Sequence, residues 1–197
     1  MTTESLGREP ADSELPAVTP GRRSLGAWVA RFDRDVDERL EHLRGHPVPD
    51  AIFTTASHLG DFSVVWQLAN VARGLTSPRR ARQIPVLAVA LGAESLLVNQ
   101  GIKRLFRRPR PTIAGDPRLP VRQPSTSSFP SGHASAAGFA ATLLTTWDGE
   151  RSAPLWWSLA GIVATSRVYV RIHHASDVVA GVVVGAGLGV AARRLLR

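Results

Sequence analysis

The chain has 197 residues, no cysteine and a formal net charge of +8 at pH 7. This length is typical of a single domain with a sizeable core. The lack of cysteine excludes disulfides, thiolate catalysis and cysteine-based zinc sites. The positive charge predicts an anionic partner: a phosphate ester, an acidic lipid headgroup or nucleic acid.

The N-terminal part divides into a polar tail and an amphipathic segment. Residues 1–23 are rich in Thr, Glu, Pro and Ser, which predicts a disordered tail. They contain no apolar core, so no signal peptide is expected. From 24 to 44, apolar residues recur every three or four positions, which predicts an amphipathic helix ended by Gly45 and Pro47. Two roles stay open for this helix: packing on the body of the protein, or lying in the lipid headgroup layer.

Five apolar segments follow the amphipathic helix. A helix of about 20 residues crosses a bilayer core, and these segments reach or nearly reach that length. Gly181, Gly185 and Gly189 form a stripe that permits close helix packing in lipid, whereas so much Gly and Val suits a soluble helix poorly. We therefore predict an all-α integral-membrane bundle of about five spans within a domain of residues 24–197, rather than a soluble apolar bundle. The predicted spans are 51–72, 84–102, 129–147, 153–170 and 175–192.

Alternation of five spans across a bilayer brings three polar junctions to one side: 103–128, 129–133 and 166–177. The opposite side carries short arginine-rich loops, which favour the cytoplasm. We therefore expect a multi-pass protein of the cell membrane with these junctions on the extracytoplasmic face. The junctions are basic too, so the charge count by itself leaves the orientation open.

Lys103 is the only lysine among the 24 Lys and Arg residues, and it opens a K-x6-R-P motif that contains Arg110. Phosphoryl transfer spreads negative charge over the phosphate oxygens, so its catalysis depends on positioning and electrostatic stabilisation. Lys103, Arg110 and the more distant Arg167 can supply both, as a compact ammonium and two planar guanidinium groups. The intervening arginines are interpreted as a solvated, lipid-facing basic patch without a catalytic role. They are Arg104, Arg107 and Arg108.

The tetrapeptide Pro-Ser-Gly-His begins the third apolar segment. Unpaired backbone N–H groups at a helix N-terminus bind anions, and Gly132 lets the backbone approach a phosphate oxygen closely. The hydroxyl of Ser131 can donate a further hydrogen bond. Once protonated, His133 can give its proton to the departing alkoxide as a general acid. In isolation the same four residues are also typical of a serine N-cap followed by an incidental histidine.

His173 and Asp177 are four residues apart, so on a helix they share a face. Asp177 can accept a hydrogen bond from one imidazole nitrogen and leave the other free to attack phosphorus. His174 could compete for Asp177, but the spacing from Arg167 favours His173 as the nucleophile. His174 is assigned a structural or interfacial role.

Three further ionisable groups lie in the apolar segments. Glu94 is expected to face the bundle interior, where it pairs with an arginine or hydrogen-bonds to another helix. His58 and Asp61 could reach the site from the first span, but a capping and anchoring role is favoured. No carboxylate cluster has metal-ligand spacing, so no metal and no other cofactor is expected.

The motifs K-x6-R-P, P-S-G-H and S-R-x5-H-x3-D occur in this order between Lys103 and Asp177. Together they resemble the type 2 phosphatidic acid phosphatase family, within the acid phosphatase and vanadium haloperoxidase superfamily. The resemblance implies a phosphohistidine intermediate on His173 oriented by Asp177, with His133 as the leaving-group acid and with metal-independent turnover. The phosphate pocket that it implies consists of Lys103, Arg110, Ser131, Gly132 and Arg167.

Membrane members of that family hydrolyse lipid phosphates and diphosphates, often of polyprenols or glycerolipids. The resemblance therefore implies a lipid phosphate substrate and a membrane partner, and no nucleic acid. Small members of this kind resemble bacterial enzymes that act on polyprenyl diphosphate or on decaprenylphosphoryl phosphoribose, a precursor of cell-wall arabinan, and the sequence does not separate the two. Membrane members usually have six spans, whereas here the helix of 24–44 takes the place of the first.

Two other functions compete with that of a lipid phosphatase. A vanadate-dependent haloperoxidase would bind vanadate with the same residues, but such an enzyme should be larger and soluble. A non-catalytic membrane protein whose basic face binds anionic lipid or nucleic acid is disfavoured by the intact catalytic positions. The oligomeric state is not indicated.

Overall fold

The computed structural model describes residues 25–112, 116–121, 124 and 126–196, and the regular secondary structure in these ranges is entirely helical. The predicted all-α fold class is confirmed. The predicted tail of residues 1–23 lies outside the described residues. The α-helices are α1 (Leu25–Glu41), α2 (Pro47–Gly60), α3 (Val64–Gly74), α4 (Pro78–Ala81), α5 (Gln83–Leu96), α6 (Gly132–Asp148), α7 (Ala153–Tyr169) and α8 (Ala175–Ala192).

The amphipathic helix α1 packs on the body of the protein. Its side chains Phe32, Val36 and Leu40 lie against a buried cluster formed by α6, α7 and α8. Trp28, one turn before Phe32, is 57% exposed. Of the two roles that the sequence left open, the structure therefore shows packing against the body.

Helices α6 and α8 form the tightest contact in the bundle, and the glycine stripe of α8 makes it possible. A Cβ atom on Gly185 would overlap the backbone carbonyl of Ser135 on α6. One turn earlier, a Cβ atom on Gly181 would lie 2.5 Å from the carbonyl oxygen of Ser131. The backbone N–H of Ser131 donates to the carbonyl oxygen of Asp177 at 3.0 Å. The close approach thus brings the start of α6 against the start of α8.

Among the residues that the structure describes, two helical segments are long and apolar enough to cross a membrane. One is the continuous run Pro78–Leu105, 28 residues that include α4, α5, a π turn and a 3-10 turn, and the other is α8 with 18 residues. The predicted first span, 51–72, is not one continuous α-helix. It is divided between α2 and α3, because Phe62 and Ser63 adopt left-handed backbone conformations with φ values of 52° and 59°. The count of five spans stays a prediction.

Candidate active site

The three sequence motifs meet at one end of the bundle around a cleft of about 1400 Å³. The ends of α5 and α7 and the starts of α6 and α8 converge there, which follows from their alternating directions. Ser131 and Asp177 are fully buried behind the cleft wall. The other site residues named from the sequence line the cleft, namely Lys103, Arg110, Gly132, His133, Arg167 and His173.

His173 lies in the turn between α7 and α8 with its two ring nitrogens in different surroundings. Its Nδ1 is 3.7 Å from Oδ2 of Asp177, which is an ion-pair distance longer than a hydrogen bond. Its Nε2 is 3.3 Å from Nη1 of Arg110, on the cleft side. The imidazole therefore has its Nε2 edge towards the cations of the cleft and its Nδ1 edge towards the carboxylate.

Burial lowers the pKa of His173 to about 3, and the nearby positive charges of Arg110, Arg167 and Lys103 act in the same direction. The nearby carboxylate of Asp177 acts in the opposite direction. Because the pKa lies well below 7, the imidazole is neutral at physiological pH. A neutral imidazole has a free lone pair, which is what a nucleophile needs.

Carbonyl and hydroxyl oxygens hold two of the guanidinium groups of the cleft in place. Arg110 donates to the backbone oxygens of Ile172 at 2.9 Å and Thr126 at 3.1 Å. Arg167 is 2% exposed and donates to the carbonyl oxygen of Ser57 at 3.2 Å and to its hydroxyl. These partners are uncharged, so they fix each fork without neutralising it. The arrangement favours an anion in the cleft.

The Pro-Ser-Gly-His motif forms the N-terminal end of α6. Ser131 is the N-cap residue, and its hydroxyl oxygen accepts a hydrogen bond from the backbone N–H of Ala134 at 3.4 Å. A Cβ atom on Gly132 would lie 2.7 Å from Oδ1 of Asn99, so a larger residue here would displace the Asn99 side chain from the start of α6. The capping role of Ser131 is seen directly, while a phosphate-binding role for it stays a prediction.

His133 has a carboxylate partner that was not assigned to the site from the sequence. Its Nε2 is 2.9 Å from Oδ1 of Asp61. Asp61 lies in the 3-10 turn between α2 and α3 and also lines the cleft. The sequence interpretation favoured an anchoring role for Asp61, and the structure instead places it against the candidate general acid. His58 is exposed on α2, in keeping with a role away from the site.

Arg108 corrects one interpretation made from the sequence. Arg104 and Arg107 are exposed as expected, but Arg108 is not part of a solvated patch. Its side chain is 28% exposed and forms ion pairs of 2.6 Å with both Asp33 and Asp177. The sequence contains no indication of these ion pairs, because Arg108 stands among other arginines and its partners lie 75 and 69 residues away in the chain.

Two other polar groups take structural positions near the cleft. Glu94 is buried and accepts a hydrogen bond from the hydroxyl of Ser135, which joins α5 to α6. This is one of the two contacts expected for Glu94. His174 is the N-cap residue of α8, and its backbone N–H donates to Oδ2 of Asp177 at 3.0 Å.

Comparison with known proteins decides the family. Residues 84–197 match the PAP2 superfamily. The chain belongs to the PAP2 superfamily. Together with the names of its relatives, this match shows a membrane phosphatase of the lipid-phosphate kind, and the prediction of a phosphatase is confirmed.

The relatives of this PAP2 protein are named as lipid phosphatases. It is 37% identical over 136 residues to a decaprenylphosphoryl-5-phosphoribose phosphatase of Mycobacterium tuberculosis, covering 68% of this chain and 72% of that protein. A protein of the same name from Mycolicibacterium smegmatis is 38% identical over 64% of this chain and 67% of the relative. A putative undecaprenyl-diphosphatase of Escherichia coli is 31% identical over 57% of this chain and 55% of that protein.

Solved structures share the fold. The transmembrane PAP2 type phosphatidylglycerolphosphate phosphatase from Bacillus subtilis superposes with a TM-score of 0.65 at 22% identity, covering 88% of this chain and 87% of that one. Aquifex aeolicus LpxE gives a TM-score of 0.64 at 24% identity, covering 84% and 94%. The fold is therefore that of transmembrane PAP2 phosphatases, and the prediction of a membrane bundle is confirmed.

Proposed function

We propose that this protein hydrolyses the terminal phosphomonoester of a polyprenyl-linked phosphosugar through a covalent phosphohistidine on His173. The convergence of a neutral, buried imidazole with three cations around one cleft carries this proposal. The mycobacterial relatives, named for a decaprenyl-linked phosphoribose, support the substrate class.

In the first step, Nε2 of His173 attacks phosphorus while the ester P–O bond breaks. Asp177 stabilises the positive charge that develops on the ring from the Nδ1 side. Lys103, Arg110 and Arg167 hold the phosphate oxygens, whose charge redistributes in the transition state. His133, once protonated beside the Asp61 carboxylate and the bound phosphate, gives its proton to the departing sugar oxygen, so the leaving group departs as a neutral alcohol.

In the second step, water completes the turnover. His133 is now neutral and accepts a proton as the water oxygen attacks phosphorus. The N–P bond breaks, inorganic phosphate leaves, and both histidines return to their starting states. Asp61 holds the His133 ring in orientation for both proton transfers.

We further propose a multi-pass topology with the cleft on the extracytoplasmic face. The opposite end of the bundle contains an arginine-rich stretch from the end of α3 through α4, where Arg73 and Arg80 pair with Asp148 at 2.7 and 3.2 Å. Basic short loops of this kind favour the cytoplasm.

The test is phosphate release by the purified protein in detergent with a metal chelator present. The substrates are a polyprenyl phosphosugar phosphate, a polyprenyl diphosphate, phosphatidate and phosphatidylglycerophosphate. We expect fastest release from the phosphosugar and none from His173→Ala. Because the E. coli relative is named a putative undecaprenyl-diphosphatase, polyprenyl diphosphate is the second candidate substrate. If it were hydrolysed fastest, it would replace the phosphosugar as the proposed substrate. Undiminished activity of His173→Ala would refute the covalent mechanism.

A further inference from the structure

A chain of ion pairs links α1 to the carboxylate that orients the candidate nucleophile. Arg108 donates through Nη1 to Oδ1 of Asp177 and through Nη2 to Oδ2 of Asp33, both at 2.6 Å. Asp33 lies on α1 and is 8% exposed. It also binds Ser176, which is 143 residues away in the chain. One guanidinium is thus shared between two buried carboxylates from opposite ends of the sequence.

Asp33 also fixes the first turn of α8, where Asp177 lies. Its Oδ1 accepts from the backbone N–H of Ser176 at 2.8 Å, and its Oδ2 accepts from the Ser176 hydroxyl at 2.9 Å. Arg108 donates to that same hydroxyl at 2.7 Å. A carboxylate is well suited to the start of a helix, because unpaired N–H groups and the helix dipole are both found there.

The sharing of Arg108 affects how Asp177 is used. Its Oδ1 is committed to Arg108, so Oδ2 is left for the Ser128 hydroxyl at 2.8 Å, the His174 N–H at 3.0 Å and the ring of His173 at 3.7 Å. Without Asp33, the whole guanidinium charge would act on Asp177. The carboxylate would then be drawn towards Arg108 and would stabilise positive charge on His173 less well.

We propose that Asp33 is a positioning residue for the phosphatase reaction, acting through Arg108 and Ser176 to hold Asp177 against His173. The proposal rests on the proposed function, in which His173 becomes transiently positive. It makes α1 a part of the catalytic architecture rather than a peripheral helix.

The same helix offers a matched control. Asp37, one turn further along α1, pairs with Arg44 at 2.5 Å and with Arg171 at 3.3 Å. Those ion pairs dock α1 on the body without contacting Asp177. If Asp33 served only to dock the helix, loss of either carboxylate would lower stability and activity together.

The experiment compares Asp33→Asn with Asp37→Asn in detergent, with kcat, KM and the thermal unfolding midpoint measured for each. We expect Asp33→Asn to lower kcat about tenfold with KM nearly unchanged, which corresponds to about 1.4 kcal/mol of activation free energy. Asp37→Asn should keep the kcat of the unmodified protein. A normal kcat in Asp33→Asn, or equal losses of kcat and midpoint in both variants, would overturn the proposal.

A double-mutant cycle tests the route through Arg108. In an Arg108→Gln background, Asp33→Asn should lower kcat by less than it does in the unmodified protein, because only the route through Ser176 remains. Fully additive losses would refute transmission through Arg108. Failure of the proposed function would look different: the unmodified protein would release no phosphate, or His173→Ala would remain active.

Discussion

At the scale of residues, each histidine of the site is paired with a carboxylate on a different structural element. His173 faces Asp177 from the neighbouring turn, and His133 contacts Asp61 from the α2–α3 junction. The two pairs suit the two proposed roles. A nucleophile needs a partner that stabilises positive charge, whereas a general acid needs a partner that fixes the direction of its proton.

Asp61→Asn should impair general acid catalysis selectively. An alkyl phosphate has a poor leaving group that needs a proton, whereas p-nitrophenyl phosphate has a good one that does not. We expect about a tenfold loss of kcat/KM on the lipid phosphate and a smaller loss on p-nitrophenyl phosphate. A tenfold loss is a modest part of the rate enhancement that general acid catalysis contributes. Both substrates are measured with the same preparation.

His58→Gln provides the control on the same stretch of chain. His58 is a matched control because it is only three residues from Asp61. Its side chain is exposed on α2, so its loss should leave both rates unchanged. His133→Gln should reproduce the dependence on leaving group more strongly. Equal losses on the two substrates in Asp61→Asn would show that Asp61 supports the fold and not the proton transfer.

At the scale of elements, the registry between α6 and α8 sets the geometry of the site. The glycines of α8 let the backbone of α6 come close enough for Ser131 to hydrogen-bond with Asp177. Two motifs that are separate in sequence are therefore held together by main-chain atoms. In lipid, such close packing of small residues is what stabilises helix pairs.

Gly185→Ala should disrupt this contact. The added methyl group would overlap the Ser135 carbonyl, and the helices would have to separate. We expect a cost of about 1–3 kcal/mol, seen as a lower thermal unfolding midpoint in detergent, together with reduced phosphatase activity.

Gly187→Ala is the matched control, because in the described part of the chain nothing beyond its own stretch of helix lies within 4 Å of a Cβ atom built on Gly187. The same chemical change two residues away should leave the midpoint and the activity unaltered. An equal fall in both variants would mean that glycine is needed along α8 for a reason other than the contact with α6.

At the scale of the whole molecule, the two ends of the bundle differ in the use of their charges. At the cleft end, Arg110 and Arg167 are held by uncharged oxygens that leave their charge for an anion, while Arg108 pairs with Asp33 and Asp177. The other end pairs Arg73 and Arg80 with Asp148. The proposed orientation places the first end outside the cell and the second in the cytoplasm.

Because the chain has no cysteine, single cysteines report orientation without further changes. Arg107 is exposed at the cleft end, and Arg151 is exposed between α6 and α7 at the other end. A membrane-impermeant maleimide should label the Arg107→Cys variant in intact cells. It should label the Arg151→Cys variant only after the cells are lysed. The reverse pattern would place the cleft in the cytoplasm, and labelling of both in intact cells would contradict a spanning topology.

The sequence by itself determined the helical class, the membrane character and the set of candidate catalytic residues. Each of these follows from local sequence patterns, namely helical periodicity, the length of apolar segments, and motif spacings such as the four residues from His173 to Asp177. A helix turns these short-range patterns directly into shared faces.

Only the tertiary structure decided which groups support those residues. Asp61 contacts His133 across 72 residues and Asp33 binds Arg108 across 75, and periodicity carries no information over such separations. The same limit left the role of α1 open and misassigned Arg108, because a charged side chain looks alike in sequence whether water or a buried carboxylate surrounds it. Burial and long-range pairing arise when helices pack, so they are properties of the folded chain.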